Sequence, residues 1–162
     1  MRETFCVRSA TAADAAQLFS LIQALAEYEK LSEQVVGSQE QLVEHLFSEP
    51  HYAHALIAEY GDQPAGYALF FFSYSTFLTR PGIYLEDLFV LPELRGRGLG
   101  RALLARVAAE ASRLGCGRLE WSVLDWNQSA LGFYRALGAQ PLEGWTGYRL
   151  TGTALDELAR QG

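Results

Sequence analysis

Two acids stand side by side at Glu86 and Asp87 in an otherwise apolar segment, Ile83 to Leu91. A regular strand alternates faces, so Ile83, Leu85, Asp87 and Phe89 share one side while Tyr84, Glu86, Leu88 and Val90 share the other. One carboxylate must therefore enter an apolar layer. Burying it unpaired is expensive, so the pattern requires a bulge, a cavity open to water, or a raised pKa at one of the two acids. Each of these marks a site. A carboxyl poised near neutrality works as a general base, and Glu86, acting through an ordered water, is the candidate. Amines need such a base, because an alkyl ammonium of pKa ~10.4 is neutral in only about one molecule in a few thousand at pH 7.

Directly downstream the chain reads Arg95-Gly96-Arg97-Gly98-Leu99-Gly100. The glycines remove side chains that would keep a ligand off the backbone, and they allow positive φ. Leu99, Leu103, Val107 and Ala111 then follow at helical spacing, so the loop amides belong to a helix N-terminus, which attracts anions. Arg95, Arg97 and Arg101 add positive charge in an otherwise acidic chain, and the ligand this suits is a phosphate or pyrophosphate. Neither of the best-known phosphate loops matches. The nucleoside-triphosphatase loop needs a lysine, and the chain's only lysine is Lys30. A dinucleotide fingerprint reads G-x-G-x-x-G after a first strand, whereas here G-x-G-x-G follows roughly the fourth.

Several elements must position these residues. Thr4 to Arg8 reads as a strand, and Thr11 with Asp14 opens a helix whose stripe is Leu18, Ile22, Leu25 and Ala26. Acids cluster where it ends, at Glu27, Glu29 and Glu33 beside Tyr28; they read either as a solvated helix end or as a rim that attracts an amine. Ser38 and Gln41 start a second helix, which Pro50 stops. Ala55 to Tyr60 and Ala65 to Tyr74 flank the turn signal GDQP and form a hairpin, its second strand apolar on both faces and so central. A polar loop, Ser75 to Gly82, leads to the strand with the two acids. Beyond the long helix come a strand at Arg118 to Leu124, a helix at about Ser129 to Leu137, short strands at Ala139 to Leu142 and Tyr148 to Leu150, and a final helix from Thr153 to Arg160.

With 162 residues, about half of them apolar, the chain reads as one domain, 1–162. No apolar run is long enough for a signal peptide or a membrane span, so a cytoplasmic protein is expected. Cys6 and Cys116 form no disulfide framework, and no Cys/His cluster offers metal ligands. His51 and His54 read as surface or packing histidines. A net charge of −6 disfavours nucleic acid and is compatible with a small cation.

The loop resembles the acyl-CoA loop of the GCN5-related N-acetyltransferases (GNAT), Q/R-x-x-G-x-G/A. A second stretch, W-N-x-x-A-x-x-F-Y-x-x-x-G-A from Trp126 to Ala139, is similar to that family's other hallmark. Within the family the resemblance is to diamine (spermidine/spermine) and thialysine acetyltransferases, carried by Arg8 to Asp14, Leu25 to Glu29, Glu33 to Val35 and Tyr84 to Val90. Arg135 to Leu137 and Gly144 to Tyr148 depart from the pattern, which leaves the adenine-end contacts and the precise amine open.

The resemblance implies an α/β (α+β) GNAT fold, with a mixed, mostly antiparallel sheet of about six to seven strands flanked by helices. It implies acetyl-CoA as co-substrate, held by Leu88, Phe89, Val90, the loop from Arg95 to Gly100 (with Gly96, Arg97, Gly98 and Leu99), and Asn127, Phe133 and Tyr134. A backbone amide near Leu88 to Val90 would face the thioester oxygen, and the Tyr134 phenol would protonate the departing thiolate. Tyr28, Glu29, Glu86, Asp87 and Trp126 would bind the amine, Asp87 holding a distal ammonium unless it merely pairs with a nearby arginine. A homodimer is implied too. The rival readings are an acetyltransferase of protein N-termini or lysines, and a CoA-binding protein without catalysis.

Overall fold

Strands with neighbours on both sides carry apolar residues on both faces, and the run AGYALFFF lies in the middle strand of the protein's sheet. The computed structural model describes residues 4–162. Contacts divide the chain into two compact units, one ending at Ser122 and the other running from Val123 to Gly162.

The first unit holds a five-stranded sheet of order β1-β2-β3-β4-β5: β1 (Phe5–Ser9), β2 (His54–Tyr60), β3 (Gln63–Ser75), β4 (Arg80–Val90) and β5 (Leu119–Trp121). The first four pair antiparallel, and β5 joins β4 in parallel. β5 spans only three residues, opposite Ile83 to Leu85. Beyond Leu85 that edge of β4 has no ladder partner among the described residues. On the other side β3 and β4 approach closely at Gly66, where a Cβ would lie 2.5 Å from the Phe89 carbonyl oxygen.

Helices α1 (Ala15–Tyr28) and α2 (Gln39–Phe47) cover one face. A capping box of Thr11 and Asp14 leads into α1, and the Ser38 hydroxyl caps α2 by accepting from the Gln41 amide. Leu18, Leu21 and Leu46 from these helices pack with Ala55, Tyr67 and Phe89 of the sheet. Helix α3 (Leu99–Arg113) buries Leu99, Leu103, Leu104, Val107 and Ala111; burying one such leucine stabilises by ~1.5–3 kcal/mol.

The expected polar loop from Ser75 to Gly82 shrinks to a turn at 76–79, with Thr79 at φ 51°. Pro81 enters β4 because β5 pairing begins only at Ile83, so its missing N–H breaks no ladder bond on that side.

In the second unit α4 (Gln128–Ala136) and α5 (Gly152–Ala159) are the regular elements. Ala139 to Leu142 and Tyr148 to Leu150 are not strands. The sheet therefore has five strands rather than six to seven. Runs of three or four residues form strands only beside a partner, and local pattern does not supply one.

Candidate active site

The strain expected of the acid pair is resolved by a bulge. Phe70 faces Leu85 and Leu69 faces Asp87, so Glu86 is an extra residue in β4. Glu86 is exposed and Asp87 partly buried. The burial expected at Glu86 falls on its neighbour instead, because the extra residue turns Asp87 onto the face of Tyr67 and Phe89. The Tyr67 hydroxyl donates to Asp87 Oδ2 at 2.9 Å, so the partner of Asp87 is a buried phenol rather than an arginine.

Burial raises the Asp87 carboxyl to about 6. The Tyr67 hydrogen bond opposes this, and the negative charges of Glu86 and Glu29 reinforce it. Glu29 follows the last turn of α1, and its carboxyl is raised as well, by burial. Burial and the neighbouring Asp87 charge hold the Tyr67 phenol well above its ordinary range, so it stays a donor.

Tyr28 lies beside this group, its ring 6.3 Å from that of Phe89. The Arg95 guanidinium sits 4.2 Å from the centre of the Tyr28 ring and 5.4 Å from that of Phe89, and its Nε donates to the Val90 carbonyl at 2.9 Å. Arg97 donates to the Tyr60 hydroxyl at 2.7 Å. Both arginines thus brace the loop against aromatic side chains, an arrangement that sequence spacing does not reveal. Phe89 and Val90 are buried with their side chains in the core, which leaves their backbone as the part available to a ligand.

The loop keeps the features an anion needs. Gly96 has φ 76° and Gly98 φ 91°, and Gly98 is the left-handed N-cap of α3 with no side chain over the helix end. Leu99 is buried and anchors the first turn. Gly100 lies close to Val90, a Cβ there being 3.8 Å from the valine methyl. These residues fit a pyrophosphate.

In the second unit Asn127 caps α4, its Oδ1 accepting from the Ala130 amide at 3.2 Å. Phe133 and Tyr134 are adjacent on that helix and partly buried, their rings 5.4 Å apart. Trp126 is 49% exposed. The first unit gathers Tyr28, Glu29, Glu86 and Asp87 close to the loop, and it adds Tyr67, which the sequence reading missed. Its signal was available: a tyrosine in an apolar central strand needs a partner for its hydroxyl.

Comparison with known proteins matches residues 18–139 to the sequence model of the Acetyltransferase (GNAT) family. This chain belongs to the GNAT family. A thialysine N-epsilon-acetyltransferase from Bos taurus is 45% identical over 94% of this chain and 96% of its own length. The Caenorhabditis elegans protein of that name is 38% identical over 97% of this chain and 98% of its own. A human spermidine/spermine N(1)-acetyltransferase-like protein is 30% identical over 98% of this chain but only 25% of its own length. Among solved structures, an integron cassette protein from the mobile metagenome of V. cholerae superposes with a TM-score of 0.80 at 26% identity, covering 96% of this chain and 98% of that one. This GNAT protein is accordingly an acetyl-CoA-dependent N-acetyltransferase with a mixed five-stranded sheet flanked by helices. No described helix is long and apolar enough to cross a membrane.

Proposed function

We propose that this GNAT enzyme acetylates a primary amine of a small molecule carrying a second positive charge, of the thialysine, diamine or polyamine type. The observation that carries this reading is the group of Glu29, Glu86 and Asp87. The charges of Glu86 and Glu29 act on Asp87, all three act on Tyr67, and among the described residues no arginine or lysine contributes to the state of Asp87. An ammonium supplies the missing charge. The thialysine acetyltransferases at 38–45% identity over nearly the whole chain support the same class.

Acetyl-CoA, when bound, supplies the acetyl thioester. The α3 amides and the Gly96 to Gly100 loop hold its pyrophosphate, with Arg101 adding charge. Exposed on the bulge, Glu86 is open to water and takes the proton from the reacting ammonium through one. Asp87, the more buried acid, is better suited to hold the distal ammonium, with Glu29 and Tyr28 beside it. Asn127, Phe133 and Trp126 are assigned to cofactor and amine by the motif they share with the family. Tyr134 is assigned on the same ground, its phenol protonating the leaving sulfur.

Acetyl-CoA turnover across polyamines, thialysine, lysine, aromatic amines and peptides tests the reading. Acetylation of thialysine or a diamine well above the peptides is expected; the reverse order overturns it. We further infer one domain, since the family match crosses the boundary between the units. A cytoplasmic homodimer completes the proposal, and light scattering at micromolar concentration checks its mass.

A further inference from the structure

Tyr67 contributes a full aromatic ring to the core and places its hydroxyl 2.9 Å from Asp87 Oδ2. This contact exists because of the bulge. Continuing the Phe70–Leu85 register without an extra residue would set Glu86 opposite Leu69 and Asp87 opposite Ala68, on the face away from Tyr67. The chain thus spends an irregularity on bringing this carboxylate to this phenol. Among the described residues three titratable groups face Asp87: Tyr67 from β3, Glu86 from β4 and Glu29 from the end of α1. The nearby loop cation, Arg95, is turned onto the rings of Tyr28 and Phe89.

We propose that Tyr67 is a positioning residue that holds Asp87 ionised and aimed for the distal ammonium, so that its hydroxyl sets the pH range over which a dication binds. The proposal rests on Asp87 being the ammonium site. The physical basis is a balance. Burial and two like charges push the carboxyl towards its neutral form, and one donated hydrogen bond favours the anion. A dication needs the anion, so binding at low pH must first remove a proton from Asp87. Removing the donor shifts that requirement to higher pH.

The test is the dissociation constant of 1,4-diaminobutane for the CoA-saturated enzyme, measured by calorimetry from pH 5 to 8. Both amines stay protonated throughout, so the charge of the diamine itself does not change. In the wild type the constant should rise about tenfold per pH unit below the Asp87 midpoint, since one proton is displaced per diamine bound. Tyr67→Phe should move the bend to higher pH by about one unit, with a smaller loss at pH 8 than at pH 6. Replacing Tyr67 by 3-fluorotyrosine keeps the ring and strengthens the donor, so its bend should move to lower pH; this arm decides the question if the phenylalanine variant fails to fold. Bends that stay at the wild-type pH in the variants overturn the role of Tyr67. Asp87→Asn separates the underlying reading: wild-type diamine affinity there removes Asp87 from the ammonium site, whatever Tyr67 does.

Discussion

Asp14 and Asp87 are the same side chain withdrawn from water in two places, with opposite results. Arg8 reaches Asp14 through two hydrogen bonds of 2.8 Å, and the Thr11 amide adds a third of 2.7 Å. Those contacts, the arginine foremost, hold the Asp14 carboxyl well below the usual range, and the same arginine also bonds Glu59 at 2.7 Å. Asp87 receives one hydrogen bond from a neutral phenol and faces two acids, and it is held at about 6. The first cluster holds its own cation, shared between two carboxylates, and serves to join β1, β2 and the start of α1. The second holds no cation among the described residues, which is what a site for a bound cation requires.

Breaking the arginine-centred cluster should have the largest effect. Arg8→Met leaves Asp14 buried beside Glu59 with no cation, and loss of one partner of a buried pair costs about 3 kcal/mol after allowance for the partial exposure of Arg8. Denaturant unfolding at pH 7 measures it. Asp14 has a depressed folded-state pKa, so its contribution is complete above the ordinary value of 3.8 and is lost as pH falls through the lower folded-state value. The gap between wild type and variant should therefore narrow as pH falls from 3.8 towards that lower value. A gap that is constant with pH would mean that Arg8 acts by packing alone.

At Asp87 the sign is opposite. The folded-state pKa of Asp87 lies above its ordinary 3.8, so the ionised group opposes folding fully above about 6, and the opposition fades as pH falls towards 3.8. Asp87→Asn should stabilise the free enzyme by about 2 kcal/mol at pH 7.5 and by almost nothing at pH 4, while weakening diamine binding. Thermal unfolding at the two pH values checks this. Destabilisation at both would show that Asp87 belongs with Asp14 as a structural acid.

Glu59→Gln should cost less than about 1 kcal/mol at pH 7, because Glu59 shares Arg8 with Asp14 and keeps more contact with water. A cost equal to that of Arg8→Met would make Glu59, not Asp14, the principal partner.

The sequence reading went furthest where the information is local. Period-two alternation across Ile83 to Leu91 forced a choice at the acid pair, and the bulge at Glu86 is that choice made. Ser38 and Thr11 announced their helices because a cap contacts residues three positions on. The glycine loop was readable for the same reason. What escaped lies across the chain: Asp87 meets a tyrosine twenty residues earlier, and Arg95 rests on a ring at the end of α1. Which acid would be buried depended on which residue formed the bulge, and alternation alone names both. The two short strands expected after Gly138 had the right residues, but a strand is defined by its neighbour.

The finest test concerns whether like charge, and not burial alone, keeps Asp87 near neutrality. Glu29 sits at the end of α1, partly buried, and its negative charge is the weakest of the influences on Asp87, after burial, the Tyr67 hydrogen bond and Glu86. Glu29→Gln removes that charge while keeping the shape, so the Asp87 midpoint should fall by a few tenths of a pH unit, in the direction opposite to that expected for Tyr67→Phe. Carbon-detected NMR titration of the aspartate carboxyls in the free enzyme resolves a change of that size. Added salt should shrink it, because a charge reached partly through water is screened. A midpoint that does not move would mean that the fold holds Asp87 near 6 by burial and Glu86 alone, and would take Glu29 out of the ammonium site.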